Sequence, residues 1–418
     1  MKILHINSSL NGGAAKSAYR IHNSLLNIGV DSNFLTKDLI RKKDISLKYS
    51  YDKLISIRPE LTLKNYFYEK FTKKFTKEIK QFSKERDLFL KKINPVENGD
   101  FEMFSTPFSE YDITNLQEYK DADIVHLHWI SGLIDFETFF KKNSKPIVWT
   151  LHDENPFRGA FHYENDEIKN KNLFCDLDKQ YVNIKKESYK FIKNLSIVSP
   201  SNWLKTRAEQ SGVFCDASFF HQNYSIDTNI FHYTSQEFSK SIFNIPNNRK
   251  VFAFVSENIH NYRKGYDILI DIVNNENFKD VIFLIVGKSD NDILKNENVI
   301  YTGKIYDERL MNIVYNCADF FLLPSREDNQ PNTLVEALTS GTPVIAFNIS
   351  DNRNILEMNN IGLICDIKND FSLENTMLDC LNGKYFFDRE LISKRASQLF
   401  SQSLGANFYL ELYNKIKK

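Results

Sequence analysis

The sequence predicts an α/β protein built from two doubly wound domains, each around a parallel sheet. Three observations predict this class: a length of 418 residues, short apolar runs that alternate with helix-period segments, and a restart of that alternation after a polar stretch at residues 223–248. At 42% hydrophobic and 26% charged residues, the chain is too long for one ordinary core and too apolar to be disordered.

The individual elements follow from this alternation. In the first half we predict strands and helices in turn, namely strands at 3–6, 124–127, 147–151 and 197–198 and helices at 14–26 and 203–208. In the second half we predict strands at 251–255, 281–286, 319–323 and 344–347 and helices at 266–272 and 334–338. Continuous apolar runs of this length are typical of strands that are buried on both faces.

Composition excludes several classes of function. A formal net charge of +0 removes the general electrostatic argument for nucleic-acid binding. The five cysteines are scattered and form no CxxC pair, which fits neither a zinc site nor a disulfide framework and favours a reducing cytoplasm. The opening residues enter a strand-like run directly, so we expect neither a signal peptide nor a membrane-spanning segment.

Residues 41–92 interrupt the alternation. They hold no convincing strand and carry sixteen Lys or Arg against seven Asp or Glu. An apolar stripe recurs there at helical spacing, formed by Phe67, Phe71, Phe75, Ile79 and Phe82. Lysines fall largely on the other faces, namely Lys70, Lys73, Lys74, Lys77, Lys80 and Lys84. Either the stripe packs on the first domain, or the helix docks on an anionic membrane surface.

A glycine pair, Gly12 and Gly13, follows the first predicted strand. Glycines let a backbone approach a ligand, and the helix that follows offers unpaired N–H groups to an anion. A tight structural turn explains the pair equally well. The loop matches neither GxGxxG nor a P-loop, so dinucleotide oxidoreductases and kinases lose their main support.

Histidines follow two of the predicted strands. His152 stands beyond the carboxyl end of its strand, where open α/β sheets bind ligands. His126 and His128 stand similarly, and Trp129 comes next. A hydrogen-bonded structural role is the alternative for His126 and His128.

The second half contains two charged segments. Arg263 and Lys264 precede Gly265 at a turn, and two cations beside a flexible turn suit a diphosphate. Further on, Asp328 lies in a polar loop and Glu336 in the first turn of the next helix, where carboxylates can grip sugar and ribose hydroxyls. For Glu336 the alternative is a capping box with Thr333, which requires no ligand.

From Ser325 onward the sequence resembles the group 1 family of retaining nucleotide-sugar glycosyltransferases. The family signature is Ser-x-x-Glu, seven residues, Glu-Ala and then Gly-x-Pro-Val, and Ser325, Asp328, residues 336–337 and residues 341–344 fall on it. The likeness extends along most of the chain, at residues 12–14, 123–129, 150–153, 198–203, 227–231, 263–265 and 298–325. Residues 41–115 are largely uncovered.

This resemblance implies the GT-B fold, in which two Rossmann-like domains face each other across a donor cleft and a C-terminal helix returns to the first domain. The implied boundaries are an acceptor-side domain at 1–222 with a basic insert at 41–115, a linker at 223–248, a nucleotide-sugar-binding domain at 249–398 and the returning helix at 399–418.

The resemblance also implies the roles of individual residues. Arg263 and Lys264 would neutralise the donor diphosphate, Glu336 would hold the ribose, Asp328 the sugar, and His152 the sugar and phosphate. The catalytic set is His152, Asp328 and Lys264, and the acceptor-side set is His126, His128 and Trp129. The donor-binding set comprises Gly12, Gly13, Arg263, Lys264, Lys304, Ile305, Asp328, Asn329, Gln330, Pro331, Asn332, Thr333, Leu334 and Glu336.

The implied activity is hexosyltransferase-type transfer, from a UDP- or GDP-sugar to a glycan or lipid-linked oligosaccharide, in capsule, O-antigen or exopolysaccharide assembly. We expect no cofactor and no metal requirement, and a cytoplasmic protein that contacts the inner membrane surface if the basic helix docks there.

The chain departs from the family pattern at several positions. Asp328 replaces the usual Glu, Glu257 and Asn258 replace a Gly-Arg pair, Tyr224 and Ser225 replace an Asn-Gly pair, and Cys175 stands where relatives often carry a cysteine cluster. Two alternatives therefore stay open. One is another enzyme on this architecture, such as a nucleotide-sugar epimerase or a phosphorylase. The other is a non-enzymatic scaffold in a polysaccharide-assembly complex.

Overall fold

The computed structural model describes residues 1–38, 53–57, 100–214, 216–289, 296–366 and 370–417. It divides into two compact units, one formed by residues 1–222 and 406–418 and the other by residues 223–405. Each unit surrounds one sheet in which the paired strands are parallel, so the predicted class of two Rossmann-like α/β domains is confirmed.

The first unit contains a seven-stranded sheet in the order β3-β2-β1-β4-β5-β6-β7. Its strands are β1 (Lys2–Ile6), β2 (Asp31–Thr36), β3 (Leu54–Ser56), β4 (Ile124–Leu127), β5 (Ile147–Thr150), β6 (Leu195–Ser199) and β7 (Ser218–His221). Its helices are α1 (Gly13–Asn27), α2 (Gln117–Asp121), α3 (Phe136–Lys142), α4 (Glu164–Tyr189) and α5 (Asn202–Gln210), with a 3-10 turn at Ile113–Asn115.

The second unit contains a six-stranded sheet in the order β10-β9-β8-β11-β12-β13. Its strands are β8 (Lys250–Asn258), β9 (Val281–Lys288), β10 (Val299–Gly303), β11 (Phe320–Leu323), β12 (Val344–Phe347) and β13 (Gly362–Cys365). Its helices are α6 (Gln236–Ile242), α7 (Tyr266–Val273), α8 (Glu308–Cys317), α9 (Asn332–Thr339), α10 (Asn352–Leu356), α11 (Asp370–Leu381) and α12 (Arg389–Phe400), with 3-10 turns at Tyr262–Lys264 and Glu276–Phe278.

The strand orders locate the ligand-binding edge of each sheet. In the first unit the strand order reverses between β1 and β4, with later strands added outward on each side. In the second unit it reverses between β8 and β11. Open α/β sheets bind ligands beyond the carboxyl ends of their strands at such switch points. A ligand site is therefore expected at the loops after β1, β4, β8 and β11.

One sequence expectation is wrong. Residues 41–92 were expected to hold no strand, yet β3 lies inside them and pairs in parallel with β2, matching Phe34 to Leu54 and Thr36 to Ser56. The ion pair between Lys53 Nζ and Asp31 Oδ1, at 2.8 Å, stands beside this pairing. Three residues are too few to show a strand periodicity, and the strand forms because β2 offers it an edge. The predicted Lys/Phe helix at 67–84 lies outside the described residues.

The last helix, α13 (Gln402–Lys417), belongs to the first unit from residue 406 onward. Tyr409 and Tyr413 are buried against strand residues that include Ile3 and Val148. Across the part of the chain that the structure describes, no helix is both long and apolar enough to cross a membrane.

Candidate functional site

Two loops meet at the switch point of the second unit. Arg263 lies in the loop after β8, and Arg326 lies in the loop after β11. The backbone carbonyl of Arg263 accepts the backbone N–H of Arg326 at 2.8 Å. Arg263 Nη1 donates in turn to the carbonyl of Glu327, at 2.9 Å. Arg326 also donates to the Tyr262 carbonyl at 2.7 Å and to both carboxylate oxygens of Asp267. These bonds hold the two predicted charged segments together.

Gly265 is required for this close approach. Its φ of 78° lies in the left-handed region, and a Cβ at this position would overlap the carbonyl oxygen of Pro324. Because Gly265 directly follows Lys264 and precedes the first residue of α7, it determines where the lysine side chain leaves the loop.

The centre of the site is an ion pair. Lys264 Nζ bonds to Asp328 Oδ2, and Arg263 Nη1 lies 3.5 Å from the same oxygen. Burial by itself would raise the pKa of Asp328, but the charges of Lys264 and Arg263 outweigh it and hold that pKa below its usual value. Two cations therefore lie around one carboxylate, and guanidinium and ammonium groups suit an anionic ligand.

Glu336 is held from the core of the unit. It is 1% exposed, and its Oε2 accepts a hydrogen bond from the hydroxyl of Tyr315 on α8, at 2.8 Å. The proposed capping box with Thr333 is wrong: α9 begins at Asn332 with Pro331 at its N-cap, so Thr333 lies inside the helix and Glu336 in its second turn. The carbonyl of Pro331 accepts the N–H of Leu334 instead.

The other donor-side residues lie around these two carboxylates. Asn329 donates its backbone N–H to Asp328 Oδ1 at 3.1 Å. Gln330 binds within its own unit, accepting from the N–H of Tyr224 and donating to Asn223 Oδ1, both at 2.7 Å. Ser325 is 1% exposed, and its hydroxyl has no partner among the described residues.

Two further predicted residues follow β10. Lys304 forms an ion pair with Glu257, one of the residues that depart from the family pattern. The ammonium of Lys304 also lies 4.9 Å from the ring centroid of Tyr306. Ile305 is half-buried against the hydrophobic core. Glu257 therefore already partners one of the cations expected on the donor side.

The switch point of the first unit gathers the predicted histidines. His152 stands two residues beyond β5, and burial lowers its pKa to about 4, with Asp153 acting in the opposite direction. His126 lies within β4, and its ring nitrogens are 2.6 Å from the Tyr413 hydroxyl and 2.8 Å from the Thr150 hydroxyl. Both nitrogens of His126 thus make contacts inside the unit, as the structural alternative requires.

The loops after β1 and β4 are tied together. The N–H of Ser8 donates to the Trp129 carbonyl at 2.7 Å, and the N–H of Trp129 donates to Asn7 Oδ1 at 2.9 Å. Gly12 is the N-cap of α1 with a φ of 90°, and Gly13 is the first residue of that helix. The glycine pair thus brings the fifteen-residue helix α1 to this edge of the sheet with its first backbone N–H groups.

A polar loop after β5 shapes the same edge. Asp153 Oδ2 lies 2.6 Å from His162 Nδ1, and His162 Nε2 lies 2.7 Å from Ser105 Oγ. The ammonium of Lys185, 1% exposed, donates to the carbonyls of Asn155 at 2.5 Å and Gly159 at 2.7 Å. Sequence reasoning missed these partners, and also Tyr315 and Arg326, because each lies far along the chain from the residue that it holds.

The comparisons with known proteins agree with this architecture. Residues 249–382 match the family model described as glycosyl transferases group 1. A Klebsiella pneumoniae protein described as an uncharacterized 41.2 kDa protein in the cps region is 28% identical over 159 residues, which cover 36% of this chain and 43% of that protein. The matched region covers less than half the length of each curated relative.

Solved structures match over nearly the whole chain. Sucrose-phosphate synthase from Thermosynechococcus elongatus has a TM-score of 0.69 at 14% identity, covering 99% of this chain and 98% of that one. Anabaena HepE in complex with UDP-glucose has a TM-score of 0.64 at 15% identity, covering 99% and 100%. The fold is therefore that of GT-B glycosyltransferases. The resemblance to group 1 is confirmed over residues 249–382.

Proposed function

We propose, from the group 1 glycosyltransferase domain that residues 249–382 form, that the protein transfers a sugar from a nucleotide-diphosphate donor to a glycan acceptor. One observation carries the proposal: the Arg263–Lys264 loop is fastened onto the segment that bears Asp328 and Glu336, at the switch point of its sheet. The UDP-glucose complex of Anabaena HepE favours a UDP-sugar as the donor.

The charges of the site suit breakage of a sugar–phosphate bond. Negative charge develops on the departing diphosphate, and Arg263 and Lys264 would stabilise it. A bound phosphate would compete with Asp328 for Lys264, which would leave the Asp328 carboxylate to accept sugar hydroxyls. These two cations would supply positive charge of the kind that a metal ion supplies elsewhere, so the expected result is undiminished turnover in EDTA.

We further propose that transfer retains the anomeric configuration. The acceptor hydroxyl would attack from the face that the leaving group vacates, the sugar–phosphate bond would break, and the diphosphate would take the hydroxyl proton. This route needs no protein nucleophile. The anomeric configuration of the product, read by NMR before it equilibrates, tests the proposal, and an inverted product would contradict it.

The donor is tested by thermal stability against UDP-, GDP-, ADP- and dTDP-sugars, because a ligand raises stability only by binding the folded state. Lys264→Ala and Glu336→Ala are the test variants, and Lys279→Ala, an exposed lysine of the same unit, is the matched control. Loss of Lys264 should cost roughly 1.5–3 kcal/mol of donor interaction, about tenfold to a hundredfold in kcat/KM. A shift that survives both test variants would contradict the assigned site.

The two alternatives have distinct signatures. An epimerase would convert the donor sugar without any acceptor, and a scaffold would bind nucleotide sugar without turnover under any acceptor. Transfer to an acceptor, measured together with release of the nucleoside diphosphate, distinguishes the proposed function from both.

We propose a role in capsule or related surface-polysaccharide assembly, because the Klebsiella pneumoniae relative is described as a protein of the cps region. A lipid-linked oligosaccharide acceptor would place the enzyme at the inner membrane surface, where the basic helix predicted at 67–84 could bind anionic lipid. Sedimentation with anionic liposomes should fall when Lys70, Lys73, Lys74 and Lys77 are changed to Glu, and unchanged sedimentation would contradict membrane docking.

A further inference from the structure

Three histidines form a hydrogen-bonded chain at the switch point of the first unit. His5 lies on β1, His128 directly follows β4 and His152 follows β5, so three adjacent strands bring them together. His5 Nδ1 lies 2.9 Å from His128 Nε2, and His128 Nδ1 lies 3.2 Å from His152 Nε2. His5 is 0% and His128 1% exposed.

The middle ring is held firmly. The N–H of His128 donates to the Ile6 carbonyl at 3.0 Å, and its carbonyl accepts the indole N–H of Trp149 at 3.0 Å. Its imidazole stacks on that of His126, with 4.2 Å between the ring centroids. The position of His128 between its two neighbours therefore follows from the sheet.

The protons of this chain must all point in one direction. Burial lowers the pKa values of His5 and His128 well below the ordinary value and that of His152 to about 4, so the three rings are neutral at physiological pH. A neutral imidazole carries one N–H and one lone pair, and each link needs one of each. In one arrangement His5 donates to His128 and His128 donates to His152. In the other, His152 donates to His128 and His128 donates to His5.

His5 decides between the two directions. Its Nε2 is buried and has no hydrogen-bond partner among the described residues. If the protons pointed toward His5, this nitrogen would carry an N–H without an acceptor, and a buried N–H is rarely left unpaired. In the opposite direction it holds only an unused lone pair. His5 therefore donates to His128, and His128 donates through Nδ1 to His152 Nε2.

We propose that His5 and His128 are positioning residues that fix His152 in the tautomer with its proton on Nδ1, so that His152 acts as an uncharged hydrogen-bond donor and not as a base. This inference rests on the proposed function and on the role that the resemblance to group 1 glycosyltransferases implies for His152, contact with the donor sugar and phosphate. Since Nε2 accepts from His128 and Nδ1 already bears a proton, His152 can donate to a hydroxyl or phosphate oxygen but has no lone pair to take the proton of the acceptor hydroxyl.

A metal site is the competing use of these residues, because ligand atoms of His5, His126 and His128 lie within 4.8 Å of one another. The contacts that these rings already make argue against it. His5 Nδ1 and His128 Nε2 face each other at a hydrogen-bond distance of 2.9 Å, so these two nitrogens are directed at one another and not at a common ion. The two ring nitrogens of His126 already lie at hydrogen-bond distance from the hydroxyls of Tyr413 and Thr150.

The direct test is to determine which nitrogen of His152 carries the proton. The chain has nine histidines, so the protein labelled with 15N-histidine gives a countable set of two-bond 1H–15N correlations, and His152→Asn identifies the signals of His152. We expect the proton on Nδ1, the less common tautomer of free histidine. A proton on Nε2 would overturn the proposal.

Variants of His128 test the coupling. His128→Leu should release His152 from the Nδ1–H tautomer and lower kcat about tenfold to a hundredfold, with nucleotide binding unchanged. His128→Asn should recover much of the loss, because the Asn amide can donate from near the position of the His Nδ1. The matched control is His22→Asn, a buried histidine outside the chain that bonds Ser32, and it should leave the His152 tautomer unchanged.

The outcomes separate this inference from the proposed function. The NMR measurement requires no turnover, and its one variant, His152→Asn, serves only to assign the signals of His152. An Nδ1 proton in a protein that transfers no sugar would support the tautomer and contradict the proposed function. Sugar transfer by a protein whose His152 is protonated on Nε2 would support the function and overturn the histidine chain.

Discussion

Mild acid is expected to destabilise the first unit. Burial lowers the pKa values of five of its histidines, to about 3 for His22, to about 4 for His152 and well below the ordinary value for His5, His126 and His128. Between these folded-state values and 6.5, the unfolded chain binds protons that the folded unit does not, so the free energy of unfolding falls as the pH falls. At about pH 5.5 His22 and His152 each contribute about 1.4 kcal/mol of destabilisation, roughly 3 kcal/mol together, and His5, His126 and His128 act in the same direction. Because a whole domain has only about 5–15 kcal/mol of stability, this change removes a substantial part of it.

Tryptophan fluorescence measures this transition selectively. All three tryptophans, Trp129, Trp149 and Trp203, lie in the first unit. Urea unfolding followed by fluorescence from pH 7.5 to 5.0 should show a steep loss of stability below pH 6.5, and His22→Asn should reduce the proton uptake on unfolding by about one proton. The described carboxylates with lowered pKa values, such as Asp153, contribute only at lower pH. Stability that is unchanged between pH 7.5 and 5.5 would refute the reasoning.

Three further substitutions follow from the geometry. Tyr315→Phe removes the hydroxyl that donates to Glu336 and should weaken nucleotide binding by about 1 kcal/mol, measured by calorimetry. Gly265→Ala should abolish donor binding, since its Cβ would overlap Pro324, whereas Gly383→Ala, at a φ of 75° with open space around it, should only lower stability slightly. Lys185→Met leaves buried carbonyls without their donor and should cost about 3 kcal/mol in urea unfolding, while a loss below about 0.5 kcal/mol would contradict that role.

The central strands and the site loops of both units could be predicted from the sequence. The predicted runs at 124–127 and 344–347 coincide with β4 and β12, and the segment from Arg263 to Gly265 does lie against the loop that carries Asp328. These features depend on local periodicity and on chemistry within a few residues, which a single sequence displays.

Tertiary structure decided the rest, because it depends on pairings between distant segments. The strand β3 pairs with β2, and a capping box stays open as the alternative for Glu336 in the sequence because its hydrogen-bond partner, Tyr315, is 21 residues away on another helix. His5 and His128 are 123 residues apart, and only the order of the strands brings their rings to 2.9 Å. Strand order is set by the free energy of long-range packing. Local sequence patterns therefore do not indicate the residues that position the site, such as Tyr315 and His5. They do indicate the residues that are expected to contact the ligand.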